Sequence, residues 1–425
     1  MKTNIRGFIA LFLISGNLMA QPSGILTLDS CYKLAVAHNP LTRQGPLYHE
    51  AYQLQESVLS DNYLPQVSAG GQVSWQSDVT SLPISIQNVV IPSLDKDSYR
   101  LNLDINQLIW DGGVTKKQKE LERAGLLVNL QSVEAENYRL REIVNQVYFN
   151  ILLIRENEKL LKLNMSEILS RLGRARAGVY NGTVLPSNAD VLDAEIIKIE
   201  QSLTELAHNR AAAVYRLGEI TGQTFNPGLE LVLPAFDSLP LVNTRLRPEF
   251  HLLELQQDKL AVQQNMTGLK VMPRVSAFGT LGYGKPGLNM LSNQFDAWAM
   301  AGARFSWTLW NWNQHKKEYQ IIGIQKDVIE TQKENHERNQ RILLNNLNQE
   351  ILKTENLIAA DHRIVKLRET IAKSAGAQLD QGIITSSEFL TEQNARTQAN
   401  LNMSLHYIQL QYAKLNYITA IGLIR

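Results

Sequence analysis

Two long stretches without proline, residues 113–177 and 314–378, constrain the fold of this chain more than any other feature. Apolar side chains recur in them every three or four residues, as Leu140, Val144 and Val147 do in the first stretch. This period predicts an α-helix with one narrow apolar seam. A helix of about 65 residues is about 100 Å long, far longer than the helices of ordinary globular domains. Such seams favour coiled-coil packing against neighbouring helices.

The two stretches belong to halves of the chain that repeat with a shift of about 200 residues. The turn at residues 180–184 aligns with residues 380–384, and each turn follows one of the long helical stretches. A shorter helical pattern comes after each turn, over about residues 188–221 and 387–422. A unit this long is not a short solenoid repeat. We therefore predict one structural module used twice, with an antiparallel helical hairpin in each half.

The chain begins with a pattern typical of secreted proteins. Lys2 and Arg6 precede a short apolar run, and small or neutral residues follow up to Ala20, the layout of a secretory signal peptide. The run is too short for a membrane anchor, and no later window reaches 18 consecutive apolar residues. We divide the chain into a signal peptide (1–20), a first repeat (21–222) with a helix, two strands and a long helical hairpin, a proline-containing connector (223–245), and a second repeat (246–425) with the same elements.

Each half also contains two stretches in which apolar and polar side chains alternate. In the clearest stretch, Tyr99, Leu101 and Leu103 face one way and the polar residues between them face the other way. Strands of about 10 residues have the length that crosses a bilayer at a tilt. The four predicted strands cover residues 65–76, 99–106, 274–283 (where Phe278 breaks the alternation) and 299–309. Aromatic residues lie toward the strand ends, as an interfacial belt requires: Trp75, Tyr99, Tyr283, Trp307 and Trp310.

Two kinds of sheet give this alternation: a soluble antiparallel sheet with one wet face, and the wall of a membrane barrel. The signal peptide and the aromatic strand ends favour the barrel. Four strands cannot close a barrel, because about eight are the smallest workable number. An open edge in lipid would leave backbone groups unpaired at a cost of several kcal/mol each. If these strands span a membrane, the protein must therefore oligomerise.

Composition excludes several other classes of function. The 42 Lys and Arg residues and the 41 Asp and Glu residues leave a net charge of +1, which argues against nucleic-acid binding through a basic face. The single cysteine, Cys31, excludes a disulfide framework, and we expect it to be a buried thiol rather than a lipid-attachment site. His336-Glu337 lacks the second histidine of a zinc-protease motif, and no phosphate-binding Gly-Lys-Ser/Thr loop occurs. We therefore predict no enzymatic activity, cofactor or metal.

Local motifs carry a resemblance to a known family. Residues 28–40 (LDSCYKLAVAHNP) resemble its opening helix, which usually ends in Asn-Pro, and residues 107–113 (QLIWDGG) resemble its strand-to-helix junction. Residues 190–195 (DVLDAE) are similar to the motif just past its hairpin turn, and residues 388–393 (EFLTEQ) are a poorer second copy. With the signal peptide, the duplication and two strands per half, the chain resembles the TolC-like outer membrane efflux proteins over essentially its whole mature length.

This resemblance implies a mainly α-helical fold with a transmembrane β part. Long coiled-coil hairpins would form an α-barrel in the periplasm, and four strands per chain would contribute to a trimeric 12-stranded β-barrel in the lipid of the outer membrane. Residues 76–98 and 284–296 would form its external loops.

The implied function is a passive exit duct of a tripartite efflux or type I secretion system, for small molecules or polypeptides. Its partners would be a periplasmic adaptor and an inner-membrane transporter of the resistance-nodulation-division (RND) or ABC type. The residues leave one alternative open, a structural or adhesive coiled-coil protein of the periplasm or cell surface with a soluble sheet.

The resemblance also places an adaptor-docking surface at the hairpin turns. The two turns would form the periplasmic tip of the tunnel, where the channel is constricted. The docking residues are then Gly182, Thr183, Gly382 and Ile383.

Acidic residues near these turns are candidates for the constriction. Asp190 and Asp193 share one helix face, and a trimer would turn each into a ring of three carboxylates. Acidic residues in the first turns of a helix also interact favourably with the helix dipole, which requires no role in a pore. The family's acidic ring comes from the second copy, so Glu388 is the favoured candidate. We expect the first turn to be two residues longer, counted from Gly182 to Asp190 against Gly382 to Glu388.

Overall fold

The computed structural model describes residues 26–79, 95–236 and 246–423. The predicted signal peptide (1–20) lies outside the described residues, as do parts of the connector (223–245) and of the first predicted external loop. Among the described residues, no helix is both long and apolar enough to cross a membrane.

The described residues form seven α-helices and four β-strands. The first half contains α1 (Leu28–His38), α2 (Gln44–Asp61), β1 (Gln66–Trp75), β2 (Asp97–Trp110), α3 (Val114–Tyr180) and α4 (Pro186–Thr221). The second half contains α5 (Pro248–Thr267), β3 (Arg274–Lys285), β4 (Asp296–Ser306), α6 (Gln314–Asp380) and α7 (Ser386–Ile421). Helices α3 and α6 both have 67 residues, and α4 and α7 both have 36. The predicted duplication and the long helical hairpins are confirmed.

The two hairpin turns are equally long. Five residues separate α3 from α4, and five separate α6 from α7. The prediction of a longer first turn is wrong, because it measured each turn to an acidic residue rather than to the first residue of the following helix. Glu388 is the counterpart of Asn188, and Asp190 is the counterpart of Leu390. The acidic candidates therefore occupy different positions in the two hairpins.

The strands form one antiparallel sheet in the order β1-β2-β3-β4. We call the end at which the helices attach proximal and the opposite end distal. Strand β4 ends at Ser306. The prediction that Trp307 and Leu309 belong to this strand is therefore wrong, since both lie just past its end. The sheet order matches the helix order, because α2 packs on α3, α3 on α5 and α5 on α6.

Pairing in the sheet separates the side chains into two faces. Leu103 of β2 lies opposite Ala69 of β1 and Leu281 of β3, and most other apolar strand residues follow this parity. The exceptions on the opposite face are Leu108, Phe278, Trp298 and Met300. The register shifts between Leu108 and Trp110, which places Trp110 opposite Val275 on the apolar face. A β-bulge of this kind turns one side chain to the opposite face of the sheet. The alternation of apolar and polar residues in the sequence does not reveal it.

The irregular position Phe278 has a structural reason. Phe278 lies on the polar face opposite Gly302, and Trp298 lies on the same face opposite Gly282. Each aromatic ring covers the glycine across from it, and a Cβ atom at either glycine would press against that ring. The alternation fails at Phe278 because the aromatic ring fills the space left by a glycine of the neighbouring strand.

One hydrophobic core of the helices lies around α1 and the middle of α3. The Tyr148 hydroxyl donates to the carbonyl oxygens of Leu26 (2.9 Å) and Val232 (2.7 Å) and so fixes the described part of the connector to this core. Cys31 is fully buried there, and burial raises the pKa of its thiol to about 12. It is therefore a neutral core side chain, as predicted.

Candidate functional site

The apolar face of the sheet is exposed along its whole length. Val67 is 61% exposed, Val73 74% and Leu101 60%. In the described strands, the only charges on this face are Asp97 and Lys285 at its distal end, 3.9 Å apart. Soluble monomers rarely expose a continuous apolar patch of this extent. The face has the composition expected for contact with lipid.

Aromatic residues lie at both ends of this face. Trp75, Tyr99 and Tyr283 lie at the distal end, and Trp110 lies at the proximal end. Three more tryptophans follow β4 and are 55 to 78% exposed: Trp307, Trp310 and Trp312. Two aromatic rows separated by one strand length are the arrangement that membrane interfaces favour.

The sheet has two unpaired edges within the described residues, along β1 and along β4. Nothing in this chain covers them among the elements described. In lipid, both edges must pair with strands, so β1 of one copy must lie beside β4 of the next.

The helices have free edges at the corresponding positions. Helix α2 is at one end of the order α2-α3-α5-α6, and α6 is at the other end. Both present apolar side chains that are at least 50% exposed, Leu47, Leu54 and Val58 on α2 and Ile321, Ile324 and Val328 on α6. The two stripes lie at the same level, since Leu54 is seven residues before the end of α2 and Ile321 seven residues after the start of α6. One neighbouring copy of the chain can therefore pair with the strand edge and pack against the helix edge.

Both hairpin turns have a left-handed glycine, Gly182 and Gly382, each with φ of 71°. The glycine conformation closes the helix end, because the amides of Thr183 and Ile383 then donate back to the last helical turn (2.9 Å each). Ile383 is 66% exposed at the tip. In the first hairpin, Tyr180 and Leu185 are 92% and 69% exposed. Each turn therefore presents at least one large apolar side chain to solvent.

The structure gives the three acidic candidates different surroundings. The Glu388 carboxylate accepts a hydrogen bond from the backbone N–H of Thr385 (2.8 Å), while the Glu388 N–H donates to the Thr385 hydroxyl (3.2 Å). This is a capping box, and its hydrogen bonds hold the pKa of Glu388 below its ordinary value. Asp193 is paired with Arg176 at 2.7 Å. Asp190 is exposed and has no partner among the described residues.

An arginine that the sequence did not indicate connects the two hairpins near the tip. Arg171 of α3 donates to the carbonyl oxygen of Gly376 and to the carboxylate of Asp380, at 2.9 Å each, and its guanidinium lies 4.3 Å from the ring centroid of Phe389. A side chain at Gly376 would overlap Arg171. Comparison of the two halves of the sequence could have pointed to Arg171, because the residue aligned with it in the second half is Ile371.

Polar side chains extend the connection above the tip. The Asn188 side chain accepts from the backbone N–H of Ser386 at 3.2 Å. Gln393 donates to Asn164 and to Glu167, at 2.7 Å each. Within the described part of the chain, no group of three or more His, Cys, Asp or Glu side chains could hold a metal ion. The tip region is therefore a set of contacts between two hairpins of one chain.

Comparison with solved structures gives the class of this fold. It is the fold of outer membrane channels that combine a helical part with a β-barrel part, which confirms the predicted fold and its TolC-like type. No protein-family model and no curated protein sequence matches the chain.

Three of the similar structures illustrate the likeness. The transmembrane channel CusC has 15% identity and a TM-score of 0.71, with 93% of this chain and 92% of that chain covered. The Campylobacter jejuni outer membrane channel CmeC has 14% identity and a TM-score of 0.66, with 93% and 85% covered. The open state of the Neisseria gonorrhoeae outer membrane channel MtrE has 15% identity and a TM-score of 0.66, with 93% and 89% covered. At these identities the likeness concerns the fold.

Proposed function

We propose that the protein is an outer membrane channel that acts as a passive exit duct. The observation that carries the proposal is the sheet, whose apolar face is exposed and whose two edges are unpaired among the described residues. Three copies of four strands make a 12-stranded barrel, which is wider than the 8-stranded barrels whose interior is filled by side chains. The helices α3 and α6, about 100 Å long, would continue this pore as a periplasmic tunnel.

The proposed location is the outer membrane, which requires export from the cytoplasm. The predicted signal peptide at residues 1–20 supplies that route. We propose that the mature chain consists of two repeats (21–222 and 246–425) and the connector between them (223–245).

The proposed partners are a periplasmic adaptor and an inner-membrane transporter of the RND or ABC type. The duct itself has no nucleotide-binding motif, so another protein must supply the energy. The exposed apolar side chains at the turns support adaptor docking at Gly182, Thr183, Gly382 and Ile383. Such partners would place the protein in a tripartite efflux or type I secretion system, and would also choose the cargo.

The proposed constriction lies near the same tip. Glu388 remains the first candidate for an acidic ring, with Asp190 and Asp193 as secondary candidates. A glutamate is ionised at neutral pH, as a cation-attracting ring requires, and the capping hydrogen bonds lower the pKa of Glu388 further.

Fractionation separates the channel from the alternative, a structural or adhesive coiled-coil protein. The full chain is expressed with its signal peptide, and the envelope is washed with salt before extraction with detergent. We expect the protein in the outer membrane fraction, released by detergent alone as a trimer that conducts ions in a planar lipid bilayer. A protein that remains soluble without detergent would contradict the proposal and support the alternative.

A further inference from the structure

Charges on the polar face of the sheet are unevenly distributed. The described strands carry three arginines and two aspartates on this face: Arg100, Arg274, Arg304, Asp104 and Asp296. In the proposed barrel the apolar face contacts lipid, so all five side chains face the pore. Their positions along the strands decide what a solute meets as it passes.

The distal and middle charges have complementary neighbours. Arg100 lies opposite Gly284, and Gly284 lies opposite Asp296, so one row of the sheet holds both signs. Asp104 accepts a hydrogen bond from the Thr280 hydroxyl at 2.6 Å. Neither level of the barrel therefore has a net charge of more than one unit per chain.

The proximal charges are both positive. Arg304 lies opposite Ser276, and Arg274 lies two residues before Ser276 on the same strand, which makes the two arginines diagonal neighbours. Diagonal positions of this kind are about 7–8 Å apart. Both side chains are exposed, and neither has an ion-pair partner among the described residues.

An acid just past the proximal end of β2, Asp111, is already engaged. Asp111 accepts hydrogen bonds from the Tyr63 hydroxyl (3.0 Å) and from the backbone N–H groups of Gly113 (2.9 Å) and Thr115 (2.7 Å). Asp111 is 4% exposed, and its carboxylate is used in the hydrogen bonds that hold the junction between β2 and α3.

One of the two arginines is held in place by an aromatic ring. The Arg304 guanidinium lies 5.2 Å from the centroid of the Phe278 ring, which itself covers Gly302. A guanidinium over a ring keeps its in-plane N–H donors free, and they match the oxygens of carboxylate, phosphate and sulfate groups. Anions therefore have both a local excess of positive charge and suitable donors at this level.

We propose that Arg274 and Arg304 of three copies form a ring of six arginines at the proximal end of the barrel, which favours the passage of solutes with carboxylate, phosphate or sulfate groups. The inference rests on the proposed trimeric channel and adds the charge preference at this level of the pore. An acidic constriction at the hairpin tip would lie at the other end of the tunnel.

Charged thiol reagents measure the potential at this ring. The natural cysteine Cys31 is fully buried, so an introduced cysteine reports without background. Ser276→Cys places the thiol beside Arg274 and Arg304, and Ser68→Cys is the matched control because Ser68 lies on the same face opposite Asp104. Anionic and cationic methanethiosulfonates are applied to the full-length trimer in lipid vesicles, and their rates are compared.

We expect Ser276→Cys to favour the anionic reagent about fivefold or more at 0.1 M salt, and the preference to fall at 1 M salt, where the Debye length is about 3 Å. The ratio should fall toward one when Arg274→Gln and Arg304→Gln are added, with intermediate values for each single substitution. Ser68→Cys should show no anionic preference. A ratio at Ser276→Cys that does not respond to either arginine substitution would overturn the inference.

A cysteine on the apolar face of the sheet distinguishes failure of the arginine ring from failure of the proposed channel. Ala301 lies on the apolar face, opposite Gly279, so lipid should protect Ala301→Cys from both reagents in vesicles. Protection at position 301 with an unresponsive ratio at position 276 would reject the arginine ring alone. Rapid labelling of Ala301→Cys in vesicles would reject the membrane barrel and with it the ring.

Discussion

At the scale of single residues, Arg171 links the two hairpins near the tip. Its side chain makes an ion pair, a backbone hydrogen bond and a ring contact with the other hairpin, and it is 18% exposed. Arg174 pairs with the same Asp380 at 3.6 Å, but it is 59% exposed. The two arginines therefore offer a matched pair, in which only Arg171 connects the hairpins through several contacts.

Arg171→Ala should loosen the proposed tip. The lost contacts are worth about 1 kcal/mol after allowance for the exposed Asp380, which corresponds to about a fivefold larger population of open tips. Single-channel recording of the reconstituted trimer should show longer or larger openings. Arg174→Ala should conduct almost as the unmodified protein does. Equal conductance of all three proteins would show that Arg171 does not hold the tip closed.

Glu388 combines a capping role with a proposed pore role, and two substitutions separate them. Glu388→Gln retains side-chain oxygen for the capping box but removes the charge, whereas Thr385→Ala removes the cap hydroxyl and leaves the charge. We expect the cation preference of the channel to fall in Glu388→Gln and to persist in Thr385→Ala, with a lower melting temperature in Thr385→Ala alone. In the unmodified protein the preference should persist at about pH 4.3, where an ordinary glutamate is half protonated, because hydrogen bonds lower the pKa of Glu388. An unchanged preference in Glu388→Gln would remove Glu388 from the constriction.

At the scale of elements, the sheet depends on aromatic rings that cover glycines of the next strand. Trp298 lies over Gly282 on the polar face of the sheet, while Gly279 on the other face has open space around its Cβ position. The two glycines lie on the same strand, three residues apart. They form a natural pair for testing whether the covered glycine is required.

Gly282→Ala should destabilise the protein, because the new methyl group would overlap the Trp298 ring. Overpacking of this kind typically costs about 1–3 kcal/mol per chain. The midpoint of thermal unfolding in detergent should therefore fall, whereas Gly279→Ala should leave it unchanged or raise it slightly. A similar midpoint for the two variants would mean that Trp298 can move away without loss.

The elements themselves were predictable because their periods run over many residues. The strands alternate over about 10 residues and the long helices over about 65, so a few irregular positions do not hide the pattern. The irregular positions were not predictable, because each depends on a partner that is distant in sequence. The position of Trp110 depends on a bulge against β3, and Arg171 depends on α6. Comparison of the two halves could have indicated Arg171, since its counterpart Ile371 cannot make the same contacts.

At the scale of the whole molecule, one chain is incomplete in the same way in its sheet and in its helices. Strands β1 and β4 and helices α2 and α6 form the free edges, in the same order. The unpaired backbone of the strands would fix the register between copies, whereas the apolar stripes of the helices would supply hydrophobic contact area. A substitution in the α2 stripe therefore tests assembly without altering the strands.

Leu54→Lys should prevent trimer assembly. Leu54 is 63% exposed in one chain, and burial of such a side chain at an interface contributes about 1.5–3 kcal/mol, three times in a trimer. Light scattering after size-exclusion chromatography in detergent should show a shift from trimer to monomer, with unchanged helical circular dichroism to confirm folding. Gln53→Lys is the control, because Gln53 lies on another face of α2. A full yield of trimer from Leu54→Lys would show that α2 does not form the interface, and copies would then have to meet through the strands alone.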